Sequence, residues 1–341
     1  MDNDIVIEDW SDINETASKP RGILLNPSFY GLLLKYLYAR FFKKPVSIGL
    51  SGCKFKADRA LLGLLLINHE YLNKGFLSTF EALCNIKVLE ENPHRLYGMI
   101  AFYIYLIRSS SINRFEVDTK GNISIEWSYS NGVVYKIHIP GHLAKKGYFF
   151  PEETFPKKDC KPVNGKCPYP NDVKDLTILD IGGYIGDSAL YFYAYGARHV
   201  KVYEPLFYDI AKRNLEINSL PVDVEPYGVG DGTYQYINEE VDSDLIGSGL
   251  KPGNLKIPTK GFDEILGEGH YDLAKIDCEG CEYYLLKADC NSLKSVERYV
   301  IEVHGTPTPL ISKFRNCGLK PFKLGYIDKE KFQSYLYVNN C

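Results

Sequence analysis

The stretch LDIGGYIGDS, residues 179–188, decides the fold of the C-terminal half of the chain. It closes a short apolar run and places Gly182, Gly183 and Gly186 within a few positions of Asp180. Glycine permits positive φ and has no Cβ, so such a turn lets its backbone come close to another group. In open α/β sheets a ligand lies beyond the carboxyl ends of the strands, against the next helix N-terminus. We expect a ligand at this turn; a tight structural turn without a ligand is the alternative.

From residue 176 onward, strand-like and helix-like segments alternate. The strand-like ones include LTILDIG, HVKVYEP, YDLAKIDCEG and VERYVIEVHG, separated by segments such as FYDIAKRNLEINSL. This alternation predicts βαβ units and a mostly parallel sheet covered on both faces. The last two segments, LKPFKLGYID and FQSYLYVNN, predict an antiparallel edge pair. The fold class is therefore α/β, with a Rossmann-like sheet.

The chain before this sheet divides into three parts. Residues 1–111 are predicted to be helical, with one helix opening at Asn26-Pro27 and others near residues 78–81 and 92–107. At residues 112–150 the apolar period changes to two, and Asn131-Gly132 predicts a β-hairpin. Residues 151–175 are rich in proline and charge and predict an irregular loop, a boundary or an active-site cover. The fourth part, residues 176–341, is the α/β domain.

Acidic residues follow three successive predicted strands. Asp180 ends the first, Glu204-Pro205 ends the second roughly twenty residues later, and Asp231 follows the third. A carboxylate on the first turn would repel the pyrophosphate of a nicotinamide dinucleotide. S-adenosylmethionine carries no phosphate but has an ammonium, a sulfonium and ribose hydroxyls, which suit these acids. We therefore expect S-adenosylmethionine as the cofactor, with its carboxylate at the helix N-terminus after Gly186.

Several motifs carry a family resemblance. DIGGYIGDSALYF, VYEP, AKRNLEINSL, PTKGFDEIL, KIDCEGCEYYLL and YVIEVHG resemble, in order and spacing, the FkbM-type S-adenosylmethionine-dependent methyltransferases over roughly residues 145–338. The resemblance implies a seven-stranded class I methyltransferase fold and O-methylation of a hydroxyl, often on a sugar or polyketide. The resemblance also implies that the first motif, DIGGYIG, binds the cofactor, that the acid after strand two binds its ribose, and that the KIDCEG motif at the end of strand four belongs to the site. The matching positions are Asp180, Gly182, Gly186, Glu204, Asp277, Glu279 and Gly280. The family usually has Asn where this chain has Tyr184, and the first 140 residues match no family.

The predicted ends of strands four and five supply candidates for catalysis. They carry Asp277, Glu279, Glu282, Glu302 and His304. His304 is the first candidate for a general base, because an imidazole has a suitable pKa and a hydroxyl acceptor loses a proton. The alternative is a structural histidine. Asp277 and Glu279 suit the substrate, a divalent cation or the cofactor's amino group, or simply the start of the following helix.

The cysteines leave three interpretations open. Cys278 and Cys281, with Cys160 and Cys167, could ligate zinc, or Cys160 and Cys167 could form a disulfide. The spacing of the second pair is unusual for zinc, and Cys278 lies within a motif that the fold already explains. We favour buried, inert thiols and assign no metal ligands.

Composition limits the partners. The net charge of −3 over 341 residues gives no basic field for duplex nucleic acid. Residues 97–107 are apolar but too few for a membrane span, and the acidic N-terminus does not resemble a leader, so we expect a cytoplasmic protein. The expected acceptor is a small molecule or glycan. The alternatives are a non-catalytic interaction protein on a methyltransferase fold and, third, an NAD-dependent oxidoreductase.

Overall fold

A computed structural model of the protein describes residues 5–6, 27–42, 46–50, 53–57, 62–63, 65, 112–118, 122–129, 131–141, 143, 169–237, 253–328 and 333–340. The chain forms two compact units. One comprises residues 1–130 and 136–150, and the other comprises residues 131–135 and 151–341. The fourfold division of the chain stays a prediction.

The first unit contains a helix and two small sheets. Helix α1 spans Pro27–Phe42 and begins at the predicted proline. A four-stranded sheet has the order β1-β4-β5-β6, formed by Ile5–Val6, Ile112–Val117, Ile123–Ser128 and Val134–Ile139. Alternate residues of β5 are buried, as the period of two predicts. The predicted helices near residues 78–81 and 92–107 lie outside the described part of the chain.

The expectation of an entirely helical N-terminal region is wrong. Residues 46–57 contain an antiparallel pair, β2 (Val46–Leu50) and β3 (Cys53–Ala57), in which Leu50 pairs with Cys53. Helix α1 ends at Phe42, and residues 46–50, which include the β-branched Val46 and Ile48, form a strand. A two-residue Ser-Gly connection is a hairpin signal that was missed.

The second unit carries the predicted alternation of strands and helices. Its strands are β7 (Thr177–Ile181), β8 (His199–Tyr203), β9 (Val224–Glu225), β10 (Gly228–Val229), β11 (Tyr234–Ile237), β12 (Leu255–Lys260), β13 (Tyr271–Ile276), β14 (Val296–His304), β15 (Lys320–Asp328) and β16 (Gln333–Asn339). Its α-helices are α2 (Asp187–Ala194), α3 (Tyr208–Glu216), α4 (Phe262–Gly267), α5 (Cys290–Lys294) and α6 (Thr308–Asn316). A 3₁₀ helix spans Cys281–Leu286.

The main sheet has seven strands in the order β15-β16-β14-β13-β7-β8-β9. The strands from β14 to β9 pair in parallel, while β16 is antiparallel to both of its neighbours. The chain leaves β7 toward β8 and β9, and later returns to β13 on the other side. The point where the order reverses, between β7 and β13, is where ligands bind in open α/β sheets.

The predicted antiparallel edge pair is confirmed. β15 and β16 pair antiparallel at one side of the sheet, with β15 outermost and β16 between β15 and β14. Residues 333–339 alternate less strictly than an edge strand should, and Leu336 and Val338 are fully buried. The apolar content of β16 therefore fits an interior strand.

Among the described residues, four cysteines form disulfides, contrary to the expectation of inert thiols. Cys278 is bonded to Cys281, and Cys290 at the start of α5 is bonded to Cys317 just beyond α6. The zinc interpretation of Cys278 and Cys281 is therefore wrong in this structure. Cys160 and Cys167 lie outside the described residues.

Candidate active site at the carboxyl ends of the parallel strands

The glycine turn after β7 packs against protein backbone. A Cβ on Gly182 would lie 1.7 Å from the carbonyl oxygen of Asp277, and one on Gly183 would lie 2.2 Å from Cγ1 of Val202. Gly182 also has φ 76 and donates its N–H to Tyr203 O at 2.9 Å. These glycines let the ends of β7, β8 and β13 meet at the reversal point of the sheet.

Asp180 is buried and paired within the protein, and its predicted contact with the cofactor stays a prediction. Its side chain is fully buried, with Oδ1 3.0 Å from Nζ of Lys275, and it accepts a short hydrogen bond from Ser188. Lys275 also donates to Gly182 O at 2.6 Å. Burial alone would lower the pKa of Lys275, but Asp180 and other acids raise it well above its usual range. The Asp180–Lys275 pair therefore holds the glycine turn in place from the protein interior.

Glu204 lies directly after β8, where it is buried and held by three backbone N–H groups. Its Oε1 accepts the N–H groups of Leu206 and Phe207 at 2.7 and 3.0 Å, and its Oε2 accepts that of Tyr184 at 2.8 Å. Burial raises the pKa of Glu204 to about 7, despite the lowering effect of these three donors. Each carboxylate oxygen can accept about two hydrogen bonds, so Oε2 has capacity for a further hydroxyl donor.

Tyr184 and Pro205 flank this carboxylate. Tyr184 has φ 47, the left-handed region where Asn is several-fold enriched among non-glycine residues. This conformation accounts for the family's usual Asn at this position. The Tyr184 ring meets that of Phe207 edge to face at 5.0 Å. Pro205 is half-buried and lies near Gly228.

The turn ends at Gly186, which begins helix α2. Gly186 has φ 85, and no side chain caps the helix. A Cβ there would lie 3.1 Å from Cα of Ala211, so α2 and α3 also approach closely. The backbone N–H groups of the first turn of such a helix favour an anionic ligand group.

Asp231 follows a strand of a separate sheet, whereas it was predicted to follow the third strand of the main sheet. The third strand of that sheet is β9, whereas Asp231 follows β10, which pairs with β12 in a separate three-stranded sheet. Asp231 is exposed, and its Oδ1 accepts from the hydroxyl and N–H of Thr233 at 2.6 and 3.2 Å. These hydrogen bonds lower the pKa of Asp231. Its predicted contact with the cofactor stays a prediction.

Four carboxylates surround His304 at the end of β14. Nε2 of His304 lies 3.5 Å from Glu279 and 3.7 Å from Glu302, and Nδ1 lies 3.4 Å from Glu282. Asp277, Glu302 and His304 bring one ligand-type atom each within 4.8 Å of one another. The His304 side chain is 4% exposed, and that of Glu279 is 26% exposed. The structure thus brings the predicted residues Asp277, Glu279 and His304 together.

The ionisation of His304 differs from the predicted one. Burial alone would lower its pKa, but Glu282, Glu279 and Asp277 raise the pKa of His304 to about 9. In this arrangement the imidazole is protonated at neutral pH, and a protonated imidazole cannot accept a proton. A general-base role for His304 therefore requires a change in its surroundings when the site is filled.

The loop that carries Asp277 and Glu279 is tightly constrained. Glu279 has φ 55 and Gly280 has φ 110, and the Cys278–Cys281 disulfide spans them. Glu282 is fully buried and accepts the N–H groups of Gly280 and His304, both at 2.8 Å. The loop after β13 is thereby tied to the end of β14.

Sequence reasoning missed several residues that position the site. The missed residues are Lys275, Ser188, Tyr169 and Tyr335. One signal was present for Lys275, because a lysine within the apolar run YDLAKI requires a buried acid. For the tyrosines no signal existed, since the chain has 27 of them and their partners are set by tertiary structure.

The comparisons with known proteins bear on this site. Residues 180–321 match the family model described as "Methyltransferase FkbM domain". These residues are a methyltransferase FkbM domain. Among curated proteins no sequence matches the chain.

The solved structures that resemble the chain have low sequence identity to it. They include a ribosomal protein L11 methylase from Lactobacillus delbrueckii subsp. bulgaricus (15% identity, TM-score 0.30, covering 49% of this chain and 71% of that one). The T. Thermophilus 16S rRNA N2 G1207 methyltransferase in complex with AdoMet and guanosine has 13% identity and a TM-score of 0.36, covering 64% of this chain and 51% of that one. A precorrin-6y C5,15-methyltransferase from Geobacter metallireducens GS-15 has 12% identity and a TM-score of 0.31, covering 49% and 80%. Similarity at this level assigns no acceptor to the FkbM domain.

The FkbM domain is a S-adenosylmethionine-dependent methyltransferase domain, and the residues at its glycine turn fit that cofactor. Glu204 offers a carboxylate for hydroxyl donors, and α2 offers an uncapped N-terminus. Helix α2 follows β7, at the reversal point of the sheet, and Glu204 follows β8, the strand beside β7. No helix in the described part of the chain is long and apolar enough to cross a membrane.

Proposed function

We propose that the protein transfers a methyl group from S-adenosylmethionine to a hydroxyl oxygen of a sugar, glycan or related metabolite. The observation that carries this proposal is that two acids, Asp277 and Glu279, lie together with His304 beside the glycine turn. These three residues are called the acidic cluster. Asp277 and Glu279 follow β13, which adjoins β7 on the side away from Glu204, and His304 ends β14, the next strand beyond β13. An acceptor at these strand ends would therefore meet the cofactor from the opposite side to its ribose.

The cofactor would be held by Glu204, by the backbone of the turn from Gly182 to Gly186 and by the start of α2. Glu204 would accept ribose hydroxyls, and the N–H groups at the helix start would bind the methionine carboxylate. Asp180 and Lys275 would act from below by fixing the turn. When bound, S-adenosylmethionine would supply an electrophilic methyl carbon. The carbon–sulfur bond breaks with its electron pair staying on sulfur, and the acceptor oxygen supplies the pair for the new bond.

The acidic cluster favours a hydroxyl acceptor. A hydroxyl loses its proton when its oxygen is methylated, so proton acceptors are needed nearby. The Glu279 side chain is 26% exposed, more than those of Glu282 and Glu302 beside His304, and it would receive that proton. Nucleobase amino-methylation typically uses a neutral Asn/Asp-Pro-Pro-aromatic turn after strand four, whereas this chain has an acidic Asp277-Cys-Glu279 there.

The alternatives make different predictions about ligands. A non-catalytic interaction protein would fold in the same way without binding the cofactor. For an NAD-dependent oxidoreductase, the objection that Asp180 would repel a pyrophosphate is weakened, because Lys275 neutralises that carboxylate. Cytoplasmic location stays a prediction, and the two disulfides bear on it because disulfides are uncommon in the cytosol outside hyperthermophiles.

Two measurements test the proposal. A thermal shift with S-adenosylhomocysteine at about 100 times its Kd should raise Tm by about 5 °C or more, and NAD should not. Transfer of labelled methyl from S-adenosylmethionine to a panel of hydroxyl-bearing sugars should then exceed transfer to matched deoxy-sugars. Stabilisation by NAD alone, or binding of the cofactor with labelling only of amino acceptors, would contradict the proposal.

A further inference from the structure

The end of β14 and the loop after β13 bring together two carboxylates and an imidazole, which are side chains of the kind that bind metal ions. Asp277, Glu302 and His304 each place one ligand-type atom within 4.8 Å of the other two. The side chains of Glu302 and His304 are 7% and 4% exposed, and Asp277 is half-buried.

The distances within this group exceed those of direct hydrogen bonds. Nε2 of His304 is 3.7 Å from Glu302 and 3.5 Å from Glu279, whereas a charged N–H···O bond is about 2.8 Å. Two atoms that each lie about 2.1 Å from one ion are about 3.0 to 3.4 Å apart, depending on the coordination geometry. Nε2 of His304 and the Glu302 carboxylate are thus about 0.3 to 0.7 Å farther apart than two ligands of one ion, and Asp277 has a carboxylate oxygen within 4.8 Å of both.

A second, independent observation concerns the other ring nitrogen. Nδ1 of His304 is buried without a hydrogen bond and faces Glu282 Oε1 at 3.4 Å. Glu282 is itself fully buried and is held by the N–H of Gly280 at 2.8 Å. A carboxylate behind the outer nitrogen is the arrangement that orients a histidine toward a metal ion. It leaves Nε2 directed into the group.

The two acidic ligands have outer partners as well. Tyr335 donates its hydroxyl to Oε2 of Glu302 at 2.9 Å. Tyr169 donates to Oδ2 of Asp277 at 3.4 Å. Both partners are buried, at 6% and 3% exposure. All three ligand-type side chains are thus oriented by a second layer of residues, as in metal centres.

The charge of the group is compatible with a bound cation. Asp277, Glu279, Glu282 and Glu302 are four carboxylates around one imidazole. Buried carboxylates are stable when paired or when they coordinate a metal. Among the described residues, the buried Lys275 is 3.0 Å from Asp180, donates to Gly182 O and also interacts electrostatically with Asp277.

We propose that Asp277, Glu302 and His304 bind a divalent cation, of the class that accepts mixed carboxylate and imidazole ligands, such as Mn²⁺. Nε2 of His304 releases its proton to water when the ion binds, because a histidine ligand is neutral. The role given to this ion rests on the proposed O-methylation. The ion takes the acceptor hydroxyl at an open coordination position, which lowers the pKa of that hydroxyl. The released proton passes to Glu279 and then to water, and the oxygen keeps the electron pair that forms its bond to the methyl carbon.

The test measures metal binding without the reaction. Full-length protein is freed of metal with a chelator and titrated with Mn²⁺, and free Mn²⁺ is quantified by its electron paramagnetic resonance signal. We expect one site per chain. Asp277→Asn and Glu302→Gln should weaken Mn²⁺ binding at least tenfold, and Tyr335→Phe, which removes only the outer donor to Glu302, about tenfold. Glu216→Gln, a change on the exposed end of α3, is the matched control and should leave binding unchanged.

Binding of S-adenosylhomocysteine to each variant shows that it is folded. Equal Mn²⁺ affinity of the native protein, Glu302→Gln and Tyr335→Phe would overturn the proposal, as would the absence of a one-to-one site in the native protein. Neither result would touch the cofactor-dependent reaction, which is judged by methyl transfer to hydroxyl acceptors. Conversely, Mn²⁺ binding at this site by a protein that methylates no hydroxyl would support the ion and contradict the function given to it.

Discussion

Among single residues, Gly182 makes the most demanding backbone contact of the first turn. A Cβ there would overlap the Asp277 carbonyl oxygen at 1.7 Å, and φ 76 adds strain for any other residue. Gly182→Ala should therefore displace the turn from β13, lowering the free energy of unfolding by about 2 kcal/mol or more. Binding of S-adenosylhomocysteine should be lost with it. Urea unfolding and calorimetric titration measure the two effects.

Gly267 at the end of α4 provides the matched control. A Cβ there meets no atom within 4 Å. Gly267→Ala should change the free energy of unfolding by less than about 1 kcal/mol and leave cofactor binding intact. If both alanine variants behaved alike, close backbone approach would not explain the glycine in the first turn.

Glu204 predicts a pH dependence of cofactor binding. Its pKa is raised to about 7 by burial, so it is partly protonated at neutral pH in the absence of ligand. Ribose hydroxyls would donate to the ionised form and favour loss of that proton. Affinity for S-adenosylhomocysteine should therefore increase from about pH 6 to about pH 8 and then level off. Glu204→Gln should bind more weakly at every pH, with a flat profile across this range in calorimetric titrations.

The same carboxyl group affects stability in the opposite direction. Between its ordinary pKa of 4.5 and about 7, the folded chain holds this proton more firmly than the unfolded chain. The contribution of Glu204 to stability is thus largest at low pH and falls as the pH rises through this window. A rise in unliganded stability across the window, after subtraction of the Glu204→Gln variant's profile, would contradict the raised pKa.

At the scale of elements, β7 and β13 are joined by a buried ion pair. Asp180 and Lys275 are partners in the register of the two strands, and their side chains are 0% and 2% exposed. Removing one partner leaves an uncompensated charge, so Lys275→Met alone should lower the free energy of unfolding by about 3 to 5 kcal/mol. The double change Asp180→Leu with Lys275→Met should cost less than the sum of the single changes.

An exposed ion pair calibrates this effect. Arg298 and Asp172 lie 2.8 Å apart, with side chains 31% and 71% exposed. Arg298→Met should cost less than about 1 kcal/mol. Strict additivity of Asp180→Leu and Lys275→Met in urea unfolding would show that the two charges do not act as a pair.

The two disulfides predict different contributions to stability. Cys290–Cys317 closes a separation of 27 residues, whereas Cys278–Cys281 closes one of 3. Loop-closure entropy gives about 3.5 kcal/mol for the longer loop and about 2 kcal/mol for the shorter. Urea unfolding of Cys290→Ala/Cys317→Ala should thus show a loss about 1.5 kcal/mol greater than that of Cys278→Ala/Cys281→Ala. A larger loss from the shorter loop would point to strain relief or local packing as the dominant effect.

At this scale the sequence predicted what depends on local pattern. The alternation from residue 176 predicted the parallel strands, and Asn26-Pro27 predicted the start of α1. The β2–β3 hairpin was missed because its two strands are short and follow a helical segment. Which strand of the edge pair lies outermost was not predicted, because strand neighbours far apart in the chain leave no local signal.

At the scale of the whole molecule, strand order explains why the site could be predicted only in part. The reversal between β7 and β13 brings Gly182 and Asp277 together, so motifs that follow strands were enough to find the site. The ionisation states of the side chains in the site could not be predicted from these motifs. The pairing of Asp180 with Lys275 and the carboxylates around His304 depend on burial and on contacts between strands. Side chains that the sequence indicated as ligand contacts accordingly divide into those that face the site and those that support it.

This division separates binding from reaction across the sheet. Glu204 lies at the end of β8, on one side of the glycine turn, and His304 lies at the end of β14, on the other. His304→Gln should therefore lower the rate of methyl transfer at saturating cofactor by about 10² or more, with affinity for S-adenosylhomocysteine changed less than about threefold. Glu204→Gln should weaken cofactor binding and keep most of kcat. If His304→Gln retained activity within about tenfold of the native rate, the cluster at the end of β14 would have no part in the reaction, and the acceptor would have to lie elsewhere along the strand ends.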